Sequence, residues 1–234
     1  MIRSPGAFTK GRREEYMRYK CLVFDHDDTV VNSTATIHHP CFQDYLALRR
    51  PGMECSLEKY FIKNFDPGFI AMCKEDYGLS DEDMEDETRF WLNYVRERIP
   101  PVYEGIREIM LRHKAEGGLI CVVSHSFEDN ILRDYRANGL PEPDAVFGWS
   151  RPVHERKPYP FPLREIMREF KLEAKELLMV DDLKPGYDMA KSCGVDFAAV
   201  GWANDVEPIE RFMRANCTLY FKTVDDFAHF LANC

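Results

Sequence analysis

Short apolar segments and helical patterns alternate along most of the chain. Apolar runs predict a strand at 21–24 and, beyond Pro101, five more strands at 119–123, 145–147, 177–180, 197–200 and 219–221. Helical spacing of apolar residues predicts one helix before 119 and one after each of these five strands. Such alternation is typical of a parallel sheet with helices on both faces. We therefore expect an α/β fold with a Rossmann-like sheet.

The segment 35–100 departs from this alternation, because it carries helical patterns without a strand. One predicted helix has an apolar stripe made of Phe42, Tyr45, Leu46 and Leu48. A second opens with Ser80 and Asp83 at the spacing of a capping box. We therefore expect a small all-helical cap, inserted after the first strand, with its two connections close together.

This pattern divides the chain into three predicted parts. Residues 1–20 are polar and mildly basic, and they are interpreted as an N-terminal extension. The predicted α/β core comprises 21–34 and 101–234, and the predicted helical cap comprises 35–100.

Composition narrows the possible partners. The chain has 234 residues and a formal net charge of −9, which makes nucleic acid and anionic membranes poor default partners. No apolar run approaches the roughly 20 residues that span a bilayer. Eight cysteines without a C-x-x-C pair argue against a disulfide scaffold or a structural zinc site. The start of the chain lacks an apolar signal core, so we expect a cytoplasmic protein.

Polar residues follow three of the predicted strands at the point where each ends. The first strand leads into Asp25-His26-Asp27-Asp28-Thr29, the second into Ser124-His125-Ser126, and the strand at 177–180 into Asp181-Asp182. Arg156-Lys157-Pro158 lies between the last two and leads into a helix. Because ligands bind beyond the carboxyl ends of parallel strands, we expect these side chains at one edge of the sheet.

This set of residues favours metal-assisted phosphoryl chemistry. Clustered carboxylates repel one another unless a cation offsets their charge, and Mg²⁺ suits a few carboxylates, waters and a phosphate. An ionised aspartate can attack a phosphoryl group when Mg²⁺ and Lys157 screen the charges and Ser124 donates a hydrogen bond. A second aspartate two residues on can protonate the leaving oxygen and then activate water. Taken singly, each of these residues is more often a loop residue or a helix cap.

The four motifs together resemble the haloacid dehalogenase superfamily. They are Phe24-Asp25-His26-Asp27-Asp28-Thr29, Val122-Val123-Ser124, Lys157-Pro158 and Val180-Asp181-Asp182. The likeness covers roughly 20–234 and is to phosphatase-like members with a helical cap, similar to phosphoglycolate phosphatase and β-phosphoglucomutase relatives.

The resemblance implies a role for each of these positions. Asp25 is the expected nucleophile and Asp27 the general acid and base. Ser124 and Lys157 are expected to hold the phosphoryl group, together with His125 and the backbone N–H groups after Asp25 and Ser124. The expected cofactor is Mg²⁺, bound by Asp25, the Asp27 main-chain oxygen and Asp182, with Asp181 direct or through water.

Two positions depart from the family pattern. Asp28 stands where glycine is usual, and we expect it to adopt a left-handed backbone, which aspartate tolerates better than most residues. Gly186 stands where a further aspartate is common, so the adjacent Asp181-Asp182 pair is expected to replace that ligand. Asp188 is then interpreted as a surface helix residue.

Several other polar residues have sequence patterns that favour ordinary structural roles. The acidic stretch 81–87 is interpreted as a solvated helix face, His38-His39 as part of the hinge, and Ser126 with Asp129 as a capping box. Arg49-Arg50 either reach an anionic substrate or complement a helix dipole. His26 is expected beside the site rather than as a catalyst.

The predicted function is a Mg²⁺-dependent phosphohydrolase that cleaves a small organic phosphate monoester through an aspartyl-phosphate. Its expected partner is a small phosphorylated metabolite. Two alternatives stay open at this stage. One is a sugar phosphomutase of the same family, and the other is a non-catalytic regulatory protein that binds phosphate or Mg²⁺.

Overall fold

Six short apolar segments form a single parallel sheet in the computed structural model, which describes residues 17–234. The strands run in the spatial order β3-β2-β1-β4-β5-β6, so that β1 lies between β2 and β4. Their bounds are β1 Cys21–Phe24, β2 Leu119–Val123, β3 Ala145–Phe147, β4 Leu177–Asp181, β5 Asp196–Val200 and β6 Leu219–Phe221. The predicted fold class is confirmed.

Alternate residues of each strand enter different cores, which explains why the strands are apolar throughout. Leu22 and Phe24 belong to one buried cluster, whereas Cys21 and Val23 belong to another on the opposite face. The first face is covered by α5 Ile106–Ala115, α6 Glu128–Ala137 and α10 Val224–Ala232. The second is covered by α7 Phe161–Phe170 and α8 Lys184–Cys193.

Four helices and a π-helical turn separate β1 from α5. The turn is Thr34–His38, and the helices are α1 His39–Arg49, α2 Leu57–Phe65, α3 Phe69–Tyr77 and α4 Asp81–Val95. We refer to this region as the helical insert. Its own core joins residues from all four helices, including Phe42, Tyr60, Met72 and Phe90. Ser80 caps α4 in the predicted capping box with Asp83.

The helical insert is joined to the sheet region at two places. The entering and leaving chains run side by side, and Asn32 N donates a hydrogen bond to Pro101 O at 2.9 Å. In addition, Phe61 and Phe65 of α2 pack against α9 Glu207–Asn216. The expectation that the two connections lie close together agrees with this arrangement.

The structure differs from the sequence predictions at several residues. Leu48 is 62% exposed, because the apolar stripe of α1 ends at Leu46. Helix α6 begins at Glu128 after Phe127 and without a side-chain cap, so the predicted capping role of Ser126 is wrong. Tyr19 is buried in the core beside Phe230, although it was assigned to the N-terminal extension. The rest of that extension, residues 1–16, lies outside the described residues.

Within residues 17–234, no helix combines the length and the apolar character needed to cross a bilayer. The eight cysteines are all free thiols, and five of them are buried. Their predicted role as small buried hydrophobes agrees with this finding for those five residues.

Candidate active site

The end of β1 places Asp25 next to a buried lysine. Lys157 Nζ donates hydrogen bonds to Asp25 Oδ1 at 2.7 Å and to Asp181 Oδ2 at 2.8 Å. All three side chains are buried, and Lys157 is the only buried lysine within residues 17–234. These two charged hydrogen bonds hold the carboxylates of neighbouring strands β1 and β4 at one point.

A third carboxylate makes this cluster strongly negative. Oxygens of Asp25, Asp181 and Asp182 lie within 4.8 Å of one another. Burial raises the pKa of Asp181 to about 7, although Lys157 opposes the shift, and it raises the pKa of Asp182 well above its usual range, with Asp28 adding repulsion. Lys157 alone does not balance the negative charge of the three carboxylates. Their oxygens form a set of ligands that fits a hard divalent cation such as Mg²⁺.

Asp181, the last residue of β4, and Asp182, which follows it, differ in how many hydrogen bonds their oxygens accept. Asp181 accepts from Lys157 through Oδ2 and from Leu183 N through Oδ1 at 2.8 Å, so both of its oxygens are occupied. Asp182 accepts one bond, from Thr29 Oγ1 at 3.3 Å. Asp182 is therefore the better direct ligand of the pair, and Asp181 is suited to contact through water.

Gly186 explains how Asp181 fits beneath α8. A Cβ at this position would lie 2.0 Å from Asp181 Oδ2, closer than atoms can approach. The glycine therefore makes room for the carboxylate that holds Lys157. The neighbouring Asp188 forms an ion pair with Lys184 at 2.7 Å, consistent with its assignment to the helix surface.

Asp27 accepts hydrogen bonds from three side chains. Ser33 Oγ donates to Oδ1 at 2.7 Å, and His38 Nε2 donates to the same oxygen at 2.9 Å. Ser126 Oγ donates to Oδ2. Trp91 Nε1 of helix α4 donates to His38 Nδ1 at 3.0 Å. Because an indole N–H can only donate, this bond places the imidazole hydrogen on Nε2, facing Asp27.

These donors keep Asp27 in its ionised form. Burial by itself raises the pKa of this carboxyl, but the hydrogen bonds from His38 and Ser126 outweigh it. The pKa of Asp27 is therefore held well below its usual range. In this ionised form Asp27 can accept a proton, but it has to gain one before it can act as an acid.

Asp28 adopts the left-handed backbone that we expected, with φ of 60°. Its Oδ1 accepts a hydrogen bond from Thr34 N at 3.1 Å, at the start of the π-helical turn. Burial raises the pKa of Asp28 to about 6. The carboxylate that replaces the family's glycine is thus used to fix the path of the chain towards Ser33 and His38.

Ser124 and His125 lie at the end of β2 on the same edge of the sheet. Ser124 Oγ accepts from Ser126 N at 3.2 Å, and its own hydrogen has no acceptor within residues 17–234. His125 Nε2 donates to Lys157 O at 2.9 Å, and burial lowers the pKa of this ring to about 4. His125 is therefore neutral and steadies the Lys157 segment, whereas the Ser124 hydroxyl is free to donate to an anion.

A cavity of about 1040 Å³ lies between the helical insert and the sheet edge. Asp25, Asp27, Asp182, Ser124 and Lys157 border it on the side of the sheet. Aromatic residues supply much of the remaining wall, including Tyr60, Phe61, Phe65, Phe69, Trp91, Phe127, Trp149 and Tyr159. The cavity is large enough for a small organic molecule whose polar end reaches the carboxylates.

Two groups of polar residues form contacts that differ from their predicted roles. His38 was assigned to the hinge, but it contacts Asp27. Arg49 and Arg50 neither border the cavity nor serve only a helix dipole, because they form ion pairs with Asp86 and Asp83 of α4. His26, which we expected beside the site and not as a catalyst, has Nε2 3.2 Å from Asp134 Oδ2, and this contact is consistent with that expectation.

Glu87 is the exception in the predicted solvated face of α4. Its neighbours Asp81, Glu82 and Glu85 are exposed, but Glu87 is only 5% exposed and borders the cavity. The sequence carried a signal for this position, since Met84, Glu87, Trp91 and Val95 share the spacing of one helix face. Burial raises the pKa of Glu87 to about 7, and His38 opposes the shift.

The haloacid dehalogenase-like hydrolase family model matches residues 22–200, which is more than half of the chain. The chain belongs to this family. The motifs quoted from the sequence all lie inside the matched range, and the predicted resemblance to the superfamily is confirmed.

Curated relatives point to the same branch of the family. The chain is 27% identical over 205 residues to a phosphoglycolate phosphatase of Rhodospirillum rubrum, covering 81% of this chain and 83% of the relative. It is 28% identical over 196 residues to a phosphoglycolate phosphatase of Mesorhizobium japonicum, covering 82% and 86%. These relatives confirm the expectation of an enzyme of the phosphatase-like type.

Solved structures share the fold. A predicted phosphoglycolate phosphatase from Haemophilus somnus superposes with a TM-score of 0.73 at 20% identity, covering 92% of this chain and 99% of that one. CbbY from Rhodobacter sphaeroides, solved in complex with phosphate, gives a TM-score of 0.67 at 18% identity, covering 88% and 95%. At these identities the likeness is one of architecture.

The raised pKa of Glu87 predicts a pH-dependent stability difference. The folded chain binds this proton more tightly than the unfolded chain, so stability falls as pH rises from 4.5 towards 7. Glu87→Gln does not titrate and therefore does not lose this stability. Its free energy of unfolding relative to that of the wild type is expected to rise by about 3 kcal/mol between pH 4 and pH 8. Urea denaturation at both pH values, in chelator, measures the difference.

The matched control for this experiment is Glu82→Gln, on the exposed face of the same helix. Its stability is expected to follow the wild type at both pH values. If the free energies of unfolding of the wild type and Glu87→Gln changed equally with pH, Glu87 would not be held protonated by burial.

Proposed function

We propose that this protein is a Mg²⁺-dependent phosphohydrolase that acts on a small organic phosphate monoester through an aspartyl-phosphate. The observation that carries the proposal is the position of Asp25. Its buried carboxylate is bonded to Lys157, lies among the Asp181 and Asp182 oxygens, and opens onto a cavity beside Asp27. A buried, positioned carboxylate of this kind is suited to nucleophilic attack.

In the first step, an Asp25 oxygen forms a bond to phosphorus and the phosphorus–oxygen bond of the ester breaks. The leaving alkoxide takes a proton from Asp27, which enters this step protonated and carries the proton that it gained from water in the preceding turnover. The Ser124 hydroxyl and the Lys157 ammonium are placed to stabilise the phosphoryl oxygens. His125 contributes by holding the Lys157 carbonyl and by presenting its backbone N–H after Ser124.

In the second step, Asp27 removes a proton from water, and the water oxygen bonds to phosphorus. The bond between phosphorus and Asp25 breaks, which releases inorganic phosphate and restores the carboxylate. The three donors around Asp27 favour its ionised form, which is the form that this step requires. Asp27 therefore exchanges one proton per turnover and returns to its starting state.

Mg²⁺ would be held by Asp25, Asp182 and the Asp27 main-chain oxygen, with Asp181 in contact through water. When bound, it neutralises carboxylate and phosphoryl charge, so that an anionic nucleophile can approach an anionic ester. The helical insert then acts as the cap that covers the cavity and contacts the leaving group. The free cysteines support a reducing, cytoplasmic location for the enzyme.

Phosphate release from a panel of small phosphate esters tests the proposal. Release is expected with Mg²⁺, and it is expected to be lost in excess chelator and in Asp25→Asn. A folded protein that binds Mg²⁺ and releases no phosphate from any ester would contradict the proposal. Activation by a sugar bisphosphate with little net release would instead favour a mutase.

Removing Asp182 tests the metal assignment separately. Asp182→Asn is expected to raise the Mg²⁺ concentration for half-maximal activity by about tenfold or more, because the freest carboxylate of the cluster is lost. A Mg²⁺ titration of initial rates measures this change. Asp188→Asn, whose carboxylate pairs with Lys184, serves as the control and is expected to leave the requirement unchanged. Equal requirements in the wild type and Asp182→Asn would contradict the assignment.

A further inference from the structure

One carboxyl group at the cavity wall has no role in the chemistry described above. Glu87 projects from α4 into the cavity, and it is 5% exposed. It forms no hydrogen bond or ion pair with any side chain or backbone group in residues 17–234. Its carboxyl oxygens face the cavity without a protein partner, so a molecule in the cavity can supply one.

The surroundings of Glu87 inside the insert are uncharged. The pKa values of the Tyr60 hydroxyl and the Cys73 thiol are raised first by burial and then by the negative charge of Glu87. These two neutral groups therefore lie close to Glu87. Neither supplies a compensating positive charge. His38 is an ionisable group close enough to affect the pKa of Glu87, but both of its ring nitrogens already form hydrogen bonds, to Asp27 and Trp91.

The other cations at the cavity wall are engaged elsewhere. Lys74 pairs with Asp81, Arg89 with Asp86, and Lys184 with Asp188. Lys157 is shared by Asp25 and Asp181. Arg156 forms no ion pair within residues 17–234, but it stacks over the Trp149 ring at 4.2 Å, next to Lys157 in sequence. The protein therefore offers Glu87 no counter-charge of its own.

Glu87 lies towards the leaving-group side of the reaction centre. It is one helical turn from Trp91, which donates to His38, which in turn donates to Asp27. Asp27 is the residue that exchanges a proton with the leaving oxygen in the proposed function. A substrate whose phosphoryl group contacts Asp25 therefore directs its alcohol portion past Asp27 and towards α4.

We propose that Glu87 is a specificity-determining residue, which selects leaving alcohols that carry a hydrogen-bond donor and no negative charge. The donor is a hydroxyl or an ammonium group of the substrate. It forms the hydrogen bond to Glu87 that no residue within 17–234 forms. This inference rests on the proposed phosphohydrolase function and adds the class of its substrate.

The same carboxyl group disfavours an anionic leaving alcohol. The curated relatives are named for phosphoglycolate, whose alcohol portion carries a carboxylate. Above pH 7 Glu87 carries its charge, and two carboxylates in one buried space then repel each other and cannot both keep their charge without a cation. This chain is therefore expected to differ from those relatives in its preferred substrate.

Four esters test this inference in the Mg²⁺-loaded enzyme at pH 8, where Glu87 is ionised. They are p-nitrophenyl phosphate as the reference, glycerol 1-phosphate for hydroxyl donors, phosphoethanolamine for an ammonium donor, and 2-phosphoglycolate for a carboxylate. The wild type is expected to show a kcat/KM at least about tenfold higher for one or both donor esters than for 2-phosphoglycolate. The better of the two donor esters identifies the donor.

Two substitutions separate charge from hydrogen bonding. Relative to the reference ester, Glu87→Gln is expected to raise kcat/KM for 2-phosphoglycolate about tenfold and to lower it for phosphoethanolamine, because the amide keeps an acceptor but loses the charge. Glu87→Leu is expected to lower kcat/KM for both donor esters. Glu82→Gln, on the exposed face of α4, is expected to match the wild type with every ester.

The outcomes distinguish the two proposals. Hydrolysis of the reference ester with the same ester preferences in the wild type, Glu87→Gln and Glu87→Leu would overturn the role of Glu87 and leave the phosphohydrolase in place. Failure to hydrolyse any of the four esters would overturn the proposed function, and the inference with it. A wild-type preference for 2-phosphoglycolate would also overturn the inference.

Discussion

Asp25→Asn is expected to lower the rate of phosphate release by roughly a thousandfold or more, which is a loss of about 4 kcal/mol in transition-state stabilisation. An amide nitrogen or oxygen is a poor nucleophile, so the bond to phosphorus no longer forms. Initial rates on the best ester of the panel, at saturating Mg²⁺, measure the effect. An exposed carboxylate on α10 gives the control Asp225→Asn, which is expected to keep the wild-type rate.

The fold of Asp25→Asn is expected to survive, so that the loss can be assigned to chemistry. Lys157 keeps its second hydrogen bond to Asp181 at 2.8 Å, and the amide oxygen of the substituted side chain can still accept from the ammonium group. Far-UV circular dichroism and urea denaturation check this point. A folded variant with a rate within tenfold of the wild type would end the covalent mechanism.

Lys157→Met is expected to lower the free energy of unfolding by about 3 kcal/mol or more at pH 7.5 in chelator. The methionine fills similar space but leaves Asp25 and Asp181 buried without their shared cation. The loss is expected to shrink towards pH 5, because protonated carboxyl groups no longer need the lysine. Urea denaturation at the two pH values measures both effects.

The control for Lys157→Met is a substitution of an exposed lysine. Lys175 is 79% exposed and pairs with Glu173 at the surface, so Lys175→Met is expected to change stability by less than about 0.5 kcal/mol. If Lys157→Met and Lys175→Met were equally stable, the ion pairs of Lys157 would not contribute to the fold. Added Mg²⁺ is expected to restore part of the stability of Lys157→Met, since it supplies positive charge to the same carboxylates.

The grouping of these residues at one edge of the sheet was predictable because it depends on backbone topology. Parallel strands bring their carboxyl ends to one edge, so Asp25, Ser124 and Asp182 could be placed together from strand positions alone. Lys157 required only a loop that reaches the same edge. For these residues, position in the chain nearly determines position in space.

The surroundings of Asp27 were not predictable in the same way. Ser126 matches the sequence pattern of a helix cap equally well, and only the path of the chain turns its hydroxyl towards Asp27. His38 reaches Asp27 because a π-helical turn rotates it inwards, and Trp91 reaches His38 through the packing of a different helix. These contacts depend on tertiary arrangement, which a local pattern does not encode.

Gly186 shows that a position can be essential to this reaction centre without contributing any functional group. Its single hydrogen leaves the space that Asp181 fills, and Asp181 in turn helps to hold the lysine that contacts Asp25. Even alanine, the smallest change available, would displace the Asp181 carboxylate, which is linked to Asp25 through Lys157. Whether a residue of this enzyme tolerates substitution therefore depends on the space beside it as much as on its own chemistry. In the first turn of α8, that space restricts position 186 to glycine.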